Sequence, residues 1–276
     1  MKRIVSIQDI SCLGKCSLTV ALPIISAMGV ECSIVPTAVL STHTMFQNFT
    51  CKDLTDQIAP IAAHWRSEQL GFDAIYTGYL ASKEQISDIC AFFDAFKTPD
   101  NLIVVDPVMA DNGKLYPAFG EDFPAEMAKV CAKADLIVPN LTEASLLTGL
   151  PYRTEHDEAY IKEMLQALSK LGPRYVALTG VSFQPGKLGV MYYDQKTGTY
   201  GSYFTEHLPA SFHGTGDVFA STCVGALMRG KSVGDALALA ADYTVACIRA
   251  TLDAGKTNWY GVDFETAIPY LVDRLR

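Results

Sequence analysis

The sequence predicts an α/β fold in one domain: a mainly parallel central β-sheet with helices on both faces and an antiparallel hairpin at one edge. Three observations lead there. Short runs of Val, Ile and Leu recur along the chain, bounded by turn-forming residues, as strands buried on both faces do. Segments with helical spacing separate these runs, so strand and helix alternate as in a sheet covered on both sides. Later in the chain, two runs are joined only by the turn Asp194-Gln195-Lys196-Thr197-Gly198, which reads as a hairpin.

Taken in order, strands are expected at 4–7, 31–35, Ala74–Thr77, Leu102–Val105, 136–138 and 175–178, with hairpin arms at 187–193 and 200–207. The first helix is expected over 15–28 despite Pro23, and Lys83–Phe96 and 158–171 follow between later strands. The helices at 218–228 and 233–252 are long and alanine-rich. Residues 42–51 lack a clear period and read as a mobile loop that closes over substrate. No linker, repeat or shift in composition divides the chain, so 1–276 is read as a single domain.

The chain is 49% hydrophobic and 19% charged, enough to bury a sizeable core and too apolar for disorder. Its formal net charge of −8, without a Lys/Arg cluster, argues against nucleic acid as a partner. The apolar run in Met1–Ile7 is too short for a signal peptide, and no later stretch approaches the roughly 18 apolar residues of a membrane span, so no membrane partner and a soluble, cytoplasmic protein are expected. The eight cysteines form no C-x-x-C pair, and no second Cys or His pair completes a zinc site with Cys12 and Cys16; free thiols are expected.

In open α/β sheets, ligands sit beyond the carboxyl ends of the strands. The residues expected there are Asp9, Tyr79, Asp106-Pro107, Asn140 with Glu143, and Thr179-Gly180. The most informative stretch is His213-Gly214-Thr215-Gly216-Asp217. Two glycines let successive N–H groups point into one cavity, and the helix that follows adds the positive end of its dipole. Alone, G-T-G-D reads equally as a plain turn. A carboxylate beside an anion cradle would repel a bound anion, however, and makes sense if Asp217 takes a proton from, or orients, a hydroxyl attacking phosphorus. Asp106 at a strand end, with Asp111 and Gly113 in the loop after it, suits a metal–phosphate neighbourhood or a solvated turn. Asn140 and Glu143, three apart at a helix start, suit Mg²⁺ or a capping arrangement.

These motifs resemble the ribokinase superfamily, and within it the pyridoxal/pyridoxamine (vitamin B6) kinase branch. The resemblance runs through Ser6-Ile7-Gln8-Asp9, Ser41-Thr42-His43-Thr44, Thr77-Gly78-Tyr79, Asp106-Pro107-Val108-Met109-Ala110-Asp111, Pro139-Asn140-Leu141-Thr142-Glu143 and Gly214-Thr215-Gly216-Asp217. It implies a ribokinase-like fold and ATP-dependent phosphorylation of the 5′-hydroxyl of pyridoxal, pyridoxamine or pyridoxine, in salvage of pyridoxal 5′-phosphate. It also implies Mg²⁺, leaves a monovalent cation open, and suggests a homodimer with lid-like loops at about 41–52 and 109–123. By this resemblance Asp217 would be the base beside the 5′-hydroxyl, with Gly214, Thr215 and Gly216 as the anion hole. Asp106 and Glu143 would hold Mg²⁺ through water, supported by Asn140. Thr179 would lie at the nucleotide phosphates and Asp111 on the loop covering ATP. His43, Thr44 and Tyr79 would line the pyridine ring.

The sequence departs from the family at Asp9, where B6 kinases commonly carry serine. Asp9 and His213 are closer to hydroxymethylpyrimidine (phosphate) kinases of thiamine biosynthesis, whereas Asp217 and Tyr79 favour the B6 branch. Asp9 would hydrogen-bond a protonated ring nitrogen or a ring amino group, and so fits either substrate. A sugar kinase of the same superfamily would share the glycine turn, and a non-catalytic B6-binding protein would keep the fold without turnover. An ordinary aspartate at position 217 would be ionised at neutral pH.

Overall fold

The computed structural model describes residues 1–255 and 259–275; the expected domain 1–276 therefore includes four residues outside those described. Strand β1 (Arg3–Leu13) leads through helix α1 (Leu18–Ala27) to β2 (Glu31–Thr42), which turns back as the short β3 (Cys51–Asp53). Helix α2 (Thr55–Ser67), β4 (Ala74–Thr77), α3 (Lys83–Phe96) and β5 (Leu102–Val105) follow. A small hairpin, β6 (Ala110–Asp111) and β7 (Lys114–Leu115), precedes α4 (Phe123–Cys131), β8 (Leu136–Ile137), α5 (Leu141–Thr148) and α6 (Glu158–Ser169). The chain then runs through β9 (Tyr175–Val181), β10 (Lys187–Asp194), β11 (Thr199–Glu206), α7 (Thr215–Met228), α8 (Val233–Asp253) and α9 (Phe264–Asp273).

The strands form one nine-stranded sheet in the order β11-β10-β9-β8-β5-β4-β1-β2-β3. The pairs from β9 to β2 are parallel, and β10–β11 closes one end as the expected antiparallel hairpin. Strand side chains alternate between two cores. Val5, Ile75, Val105 and Leu178 pack with Ile58, Ile89, Met127 and Leu165 of α2, α3, α4 and α6. Ile4, Tyr76, Val104 and Ala177 pack with Ile24, Val224, Ala240 and Leu271 of α1, α7, α8 and α9. Fully burying each aliphatic side chain stabilises the fold by about 1.5–3 kcal/mol, so both faces contribute. Because the central strands are parallel, their carboxyl ends collect on one edge. All eight cysteines are free, as expected. Among the described residues, no helix is long and apolar enough to cross a membrane.

Several boundaries differ from the sequence expectation. Strand β1 runs past Ile7 to Leu13, so Asp9 lies inside it rather than after it. Its polar second half pairs with β2 (Ile10↔Val39, Leu13↔Thr42), and main-chain pairing does not need an apolar side chain. Strand β2 passes through Pro36, which lies beside the register shift between Gln8 and Ile10 of β1, an irregularity of the kind where a strand tolerates proline. Thr179 and Gly180 likewise fall inside β9, extended by its antiparallel neighbour. Ser41 and Thr42, with Cys51 and Lys52, are strand residues, which reduces the lid-like loop at 41–52 to the tip 43–50. The loop expected at 109–123 contains β6–β7, whose Asn112-Gly113 turn has φ of 50° and 76°, and it ends as Phe123 enters α4. Asn-Gly is a strong hairpin signal.

Candidate active site

The glycine turn is built by crowding. Gly214 caps α7 in the left-handed region (φ 80°), and a Cβ there would lie 1.8 Å from the carbonyl oxygen of Lys15. Only glycine lets the turn pack so closely on the segment between β1 and α1. Thr215 donates its hydroxyl to the Phe212 carbonyl at 3.2 Å, which ties the turn internally. The first N–H groups of α7 have no partner within the helix and carry its positive dipole end.

Asp217 sits in the first turn of α7 and is half-buried. Burial pushes its carboxyl up to about 7, the main-chain N–H of Ser17 opposes that shift, and the charge of Asp9 adds to it. The expectation of an ordinary ionised aspartate is thereby corrected: the surroundings hold Asp217 near the pKa suited to a base at neutral pH. Sequence reasoning does not single out Ser17. Its φ of 51° and ψ of −134° are strained for serine, on the order of 1–3 kcal/mol, and no side-chain pattern announces such a conformation.

Asp106, at the end of β5, is buried, and its carboxyl is held well above the usual range by burial, then by Glu143 and Asp217. A Cβ on Gly216 would lie 4.0 Å from Asp106 Oδ2, which brings the glycine turn and this carboxylate together. Glu143, also buried, is pushed up to about 8 by burial, while the N–H groups of Asn140, Met109 and Ala110 oppose the shift. The capping arrangement expected for Asn140 and Glu143 is realised in full. Asn140 Oδ1 accepts from Thr142 and Glu143 N–H, and Glu143 Oε2 accepts from Asn140 N–H at 2.9 Å. Glu143 Oε1 accepts from Met109 N–H at 3.2 Å, and Asn140 Nδ2 donates to the Ala110 carbonyl, so the same box anchors the hairpin after β5.

Among the described residues, no three His, Cys, Asp or Glu side chains gather as a metal cage. The donor set nonetheless fits Mg²⁺: two hard-oxygen carboxylates, held above their usual range by burial, suit an ion that keeps waters and shares phosphate oxygens. Thr179 is half-buried beside them; it pairs with Asn140 across β9, and its hydroxyl donates to the Pro139 carbonyl at 3.3 Å. Asp111 is exposed at the hairpin turn, where Oδ1 accepts from Asn112 N–H.

The expected ring-side residues divide into two groups. Asp9 is 4% exposed, and burial raises its carboxyl even though Ser17 and Ser11 hydroxyls oppose the shift; Ser11 Oγ donates to Oδ2 at 3.0 Å. Tyr79, pushed up to about 12 by burial and by Asp9, packs its ring on Phe119 at 5.6 Å between centroids. On the other side, His43 is buried and stacks on His213 at 4.2 Å; its Nε2 reaches the Tyr260 carbonyl at 3.2 Å, and its Nδ1 accepts from Met45 N–H. Burial lowers both imidazoles, His213 to about 4, so the pair is neutral near pH 7. Thr44 is exposed beside it. Sequence reasoning misses Phe119, Trp259 and Tyr260. Phe119 follows an Asn-Gly turn signal that is readable, whereas the two C-terminal aromatics carry no local signal.

A further cavity of about 550 Å³ lies between β11 and α8, lined in part by Lys187, Glu206, Arg249 and Asp253. The chain leaves β11 at this cavity and reaches the glycine turn within eight residues, from Glu206 to Gly214.

An anion cradle backed by a tuned carboxylate, at the carboxyl edge of this sheet, defines a small-molecule phosphotransferase of ribokinase-like fold. More particularly, the chain matches the phosphomethylpyrimidine kinase family over residues 22–261 and belongs to that family. Pyridoxal kinase from Lactobacillus plantarum superposes with a TM-score of 0.91 at 31% identity, covering 99% of this chain and 98% of that one. A Bacteroides thetaiotaomicron protein described as a candidate phosphomethylpyrimidine kinase, crystallised with pyridoxal, gives 0.93 at 41%, covering 98% and 95%. The Arabidopsis thaliana pyridoxal kinase is 27% identical over 274 residues, covering 94% of this chain and 85% of its own. The resemblance to B6 kinases drawn from the motifs is borne out.

Proposed function

We propose that this chain is a pyridoxal kinase that transfers the γ-phosphate of ATP to the 5′-hydroxyl of pyridoxal, pyridoxamine or pyridoxine. The observation that carries the reading is the placement of Asp217 in the first turn of α7, immediately after the Gly214 turn and on the same turn that Gly216 brings toward Asp106. Asp217 takes the proton of the attacking hydroxyl and aims its oxygen at phosphorus. The N–H groups of Gly214, Thr215 and Gly216 receive the oxygens of the moving phosphoryl group. Each well-placed donor of this kind contributes about 3 kcal/mol to transition-state stabilisation.

Asp106 and Glu143 would hold Mg²⁺ through water, with Asn140 fixing Glu143. The ion supplies neutralisation of phosphate charge when bound with nucleotide. Thr179 borders the phosphates, and Asp111 rides on the β6–β7 hairpin that covers the nucleotide. Asp9, Tyr79, His43 and Thr44 surround the vitamer ring. Homodimer assembly, a cytoplasmic location, an accessory monovalent cation and closure of the 43–50 and 109–123 segments belong to the same proposal.

A second reading, hydroxymethylpyrimidine kinase, is favoured by Asp9 and by His213 ahead of the glycine turn. ATP consumption with the three vitamers, hydroxymethylpyrimidine and ribose separates the readings. Turnover on a vitamer at least tenfold above the pyrimidine is expected. Pyrimidine preference overturns the B6 assignment, and vitamer binding without turnover makes the chain a binding protein.

A further inference from the structure

Lys15 lies in the turn between β1 and α1, yet its side chain does not enter the cleft. Its Nζ donates to Asp263 Oδ1 at 2.7 Å and to Glu265 Oε2 at 2.8 Å. The lysine side chain is 19% exposed and that of Asp263 is 5% exposed, so this is no loose surface pair. Burial alone would lower the ammonium, but the two carboxylates hold it above the ordinary lysine range.

The segment fastened in this way is the one that carries Trp259 and Tyr260. The Tyr260 carbonyl receives Lys15 N–H at 3.4 Å and His43 Nε2 at 3.2 Å. Trp259 packs against Phe46 at 4.5 Å and edge-on against His43 at 5.8 Å. A Cβ on Gly261 would come 2.4 Å from Lys15 Cβ, so the two strips of backbone are in close contact. His43 has Tyr260 on one side and the stacked His213 on the other.

We propose that Lys15 is a positioning residue for the vitamer site: its ammonium clamps residues 259–265 against the β1–α1 turn and thereby fixes His43 on the ring side. The inference rests on the kinase reading above and adds to it a division of labour. The main-chain carbonyl of Lys15 supports the Gly214 turn, on the phosphate side, whatever side chain position 15 carries. The ammonium holds the start of α9 through Asp263 and Glu265, and through it the aromatic cluster.

Replacement of the side chain therefore separates the two effects. Lys15→Met is expected to raise KM for the vitamer about tenfold, equivalent to about 1.4 kcal/mol. Its kcat is expected to stay within about threefold and its KM for ATP within about twofold, since Asp217 and the glycine turn are untouched. Lys15→Arg, which still reaches two carboxylates, restores vitamer KM to within about threefold of wild type. The chain has two tryptophans, so in a Trp65→Phe background emission reports Trp259 alone. There Lys15→Met should increase acrylamide quenching and Lys15→Arg should not. Lys15→Gln serves in its place if the methionine variant does not fold.

Unchanged vitamer KM and unchanged Trp259 quenching in the charge-removing variant overturn the clamp. So does a fall in kcat with KM preserved, or an equal defect in the arginine variant. The quenching measurement needs no substrate. If wild type phosphorylates no vitamer, the kinase reading fails while the clamp is still decided by Trp259.

Discussion

Asp217→Asn should make the protein both more stable and nearly inactive. In the folded chain the Asp217 carboxyl titrates near 7 instead of its ordinary 3.8, chiefly because folding removes it from water. Between those values the folded state keeps a proton that the unfolded state has released. Stability therefore falls as pH rises from about 4 to 7, and the full penalty is present above 7. A shift of about three units at about 1.36 kcal/mol each sets a ceiling of about 4 kcal/mol. Asp217 is half-buried and not fully enclosed, which brings the expected penalty to on the order of 2 kcal/mol.

Asparagine fills the same volume, still accepts from Ser17 N–H and carries no charge to desolvate. Urea unfolding followed by circular dichroism, without nucleotide or divalent cation, should place the variant on the order of 2 kcal/mol above wild type at about pH 8. At about pH 4 the two should agree within about 0.5 kcal/mol, because little of the penalty has developed at that pH. Turnover should fall at least about a hundredfold, the usual contribution of a positioned acid–base group. Equal or lower stability at about pH 8 refutes the electrostatic argument, and turnover within tenfold of wild type removes Asp217 from catalysis.

Gly214→Ala forces a methyl group to within 1.8 Å of the Lys15 carbonyl and into a left-handed conformation, so a loss of at least about 2 kcal/mol in urea unfolding is expected, with activity abolished. An active variant of wild-type stability would mean that the turn is not wedged there. His213, lowered from 6.5 to about 4 by burial and by His43, resists a proton that the unfolded chain binds, so stability is complete above about pH 6.5 and is lost as pH falls toward 4. His213→Phe keeps a ring against His43 and should flatten the fall in melting temperature between pH 7 and 5; parallel curves for the two proteins count against this. Asp9→Ser should change relative kcat/KM among pyridoxal, pyridoxamine and hydroxymethylpyrimidine while leaving KM for ATP within about twofold. An identical specificity profile would mean that Asp9 does not touch the ring.

The alternation of apolar runs and helical segments was legible because burial on two faces of a parallel sheet leaves a periodic imprint on local sequence. Lys83–Phe96, Ala74–Thr77 and Leu102–Val105 coincide with observed elements for that reason. The glycine turn with Asp217, and the carboxylates Asp106 and Glu143, were also legible as candidates, since Gly-Thr-Gly-Asp is a local pattern and a carboxylate at a strand end or helix start stands out beside apolar runs. Strand ends set by partners were not. The run of β1 through Asp9 to Leu13 depends on pairing with a strand whose own sequence lies about thirty residues away, and an Asp-Ile-Ser stretch gives no local reason to stay extended.

What the sequence alone determined, then, is the layered α/β architecture and which glycines and carboxylates to look for at its ligand edge, because burial period and functional-group chemistry are local properties. What only the tertiary structure decided is the state of those groups and their company. Asp217 near 7, the neutral His43–His213 stack and the Lys15 bridge to Asp263 and Glu265 each join residues from distant parts of the chain. Desolvation and charge pairing depend on distance in space, and no pattern along the chain encodes a distance between segments until the chain has folded.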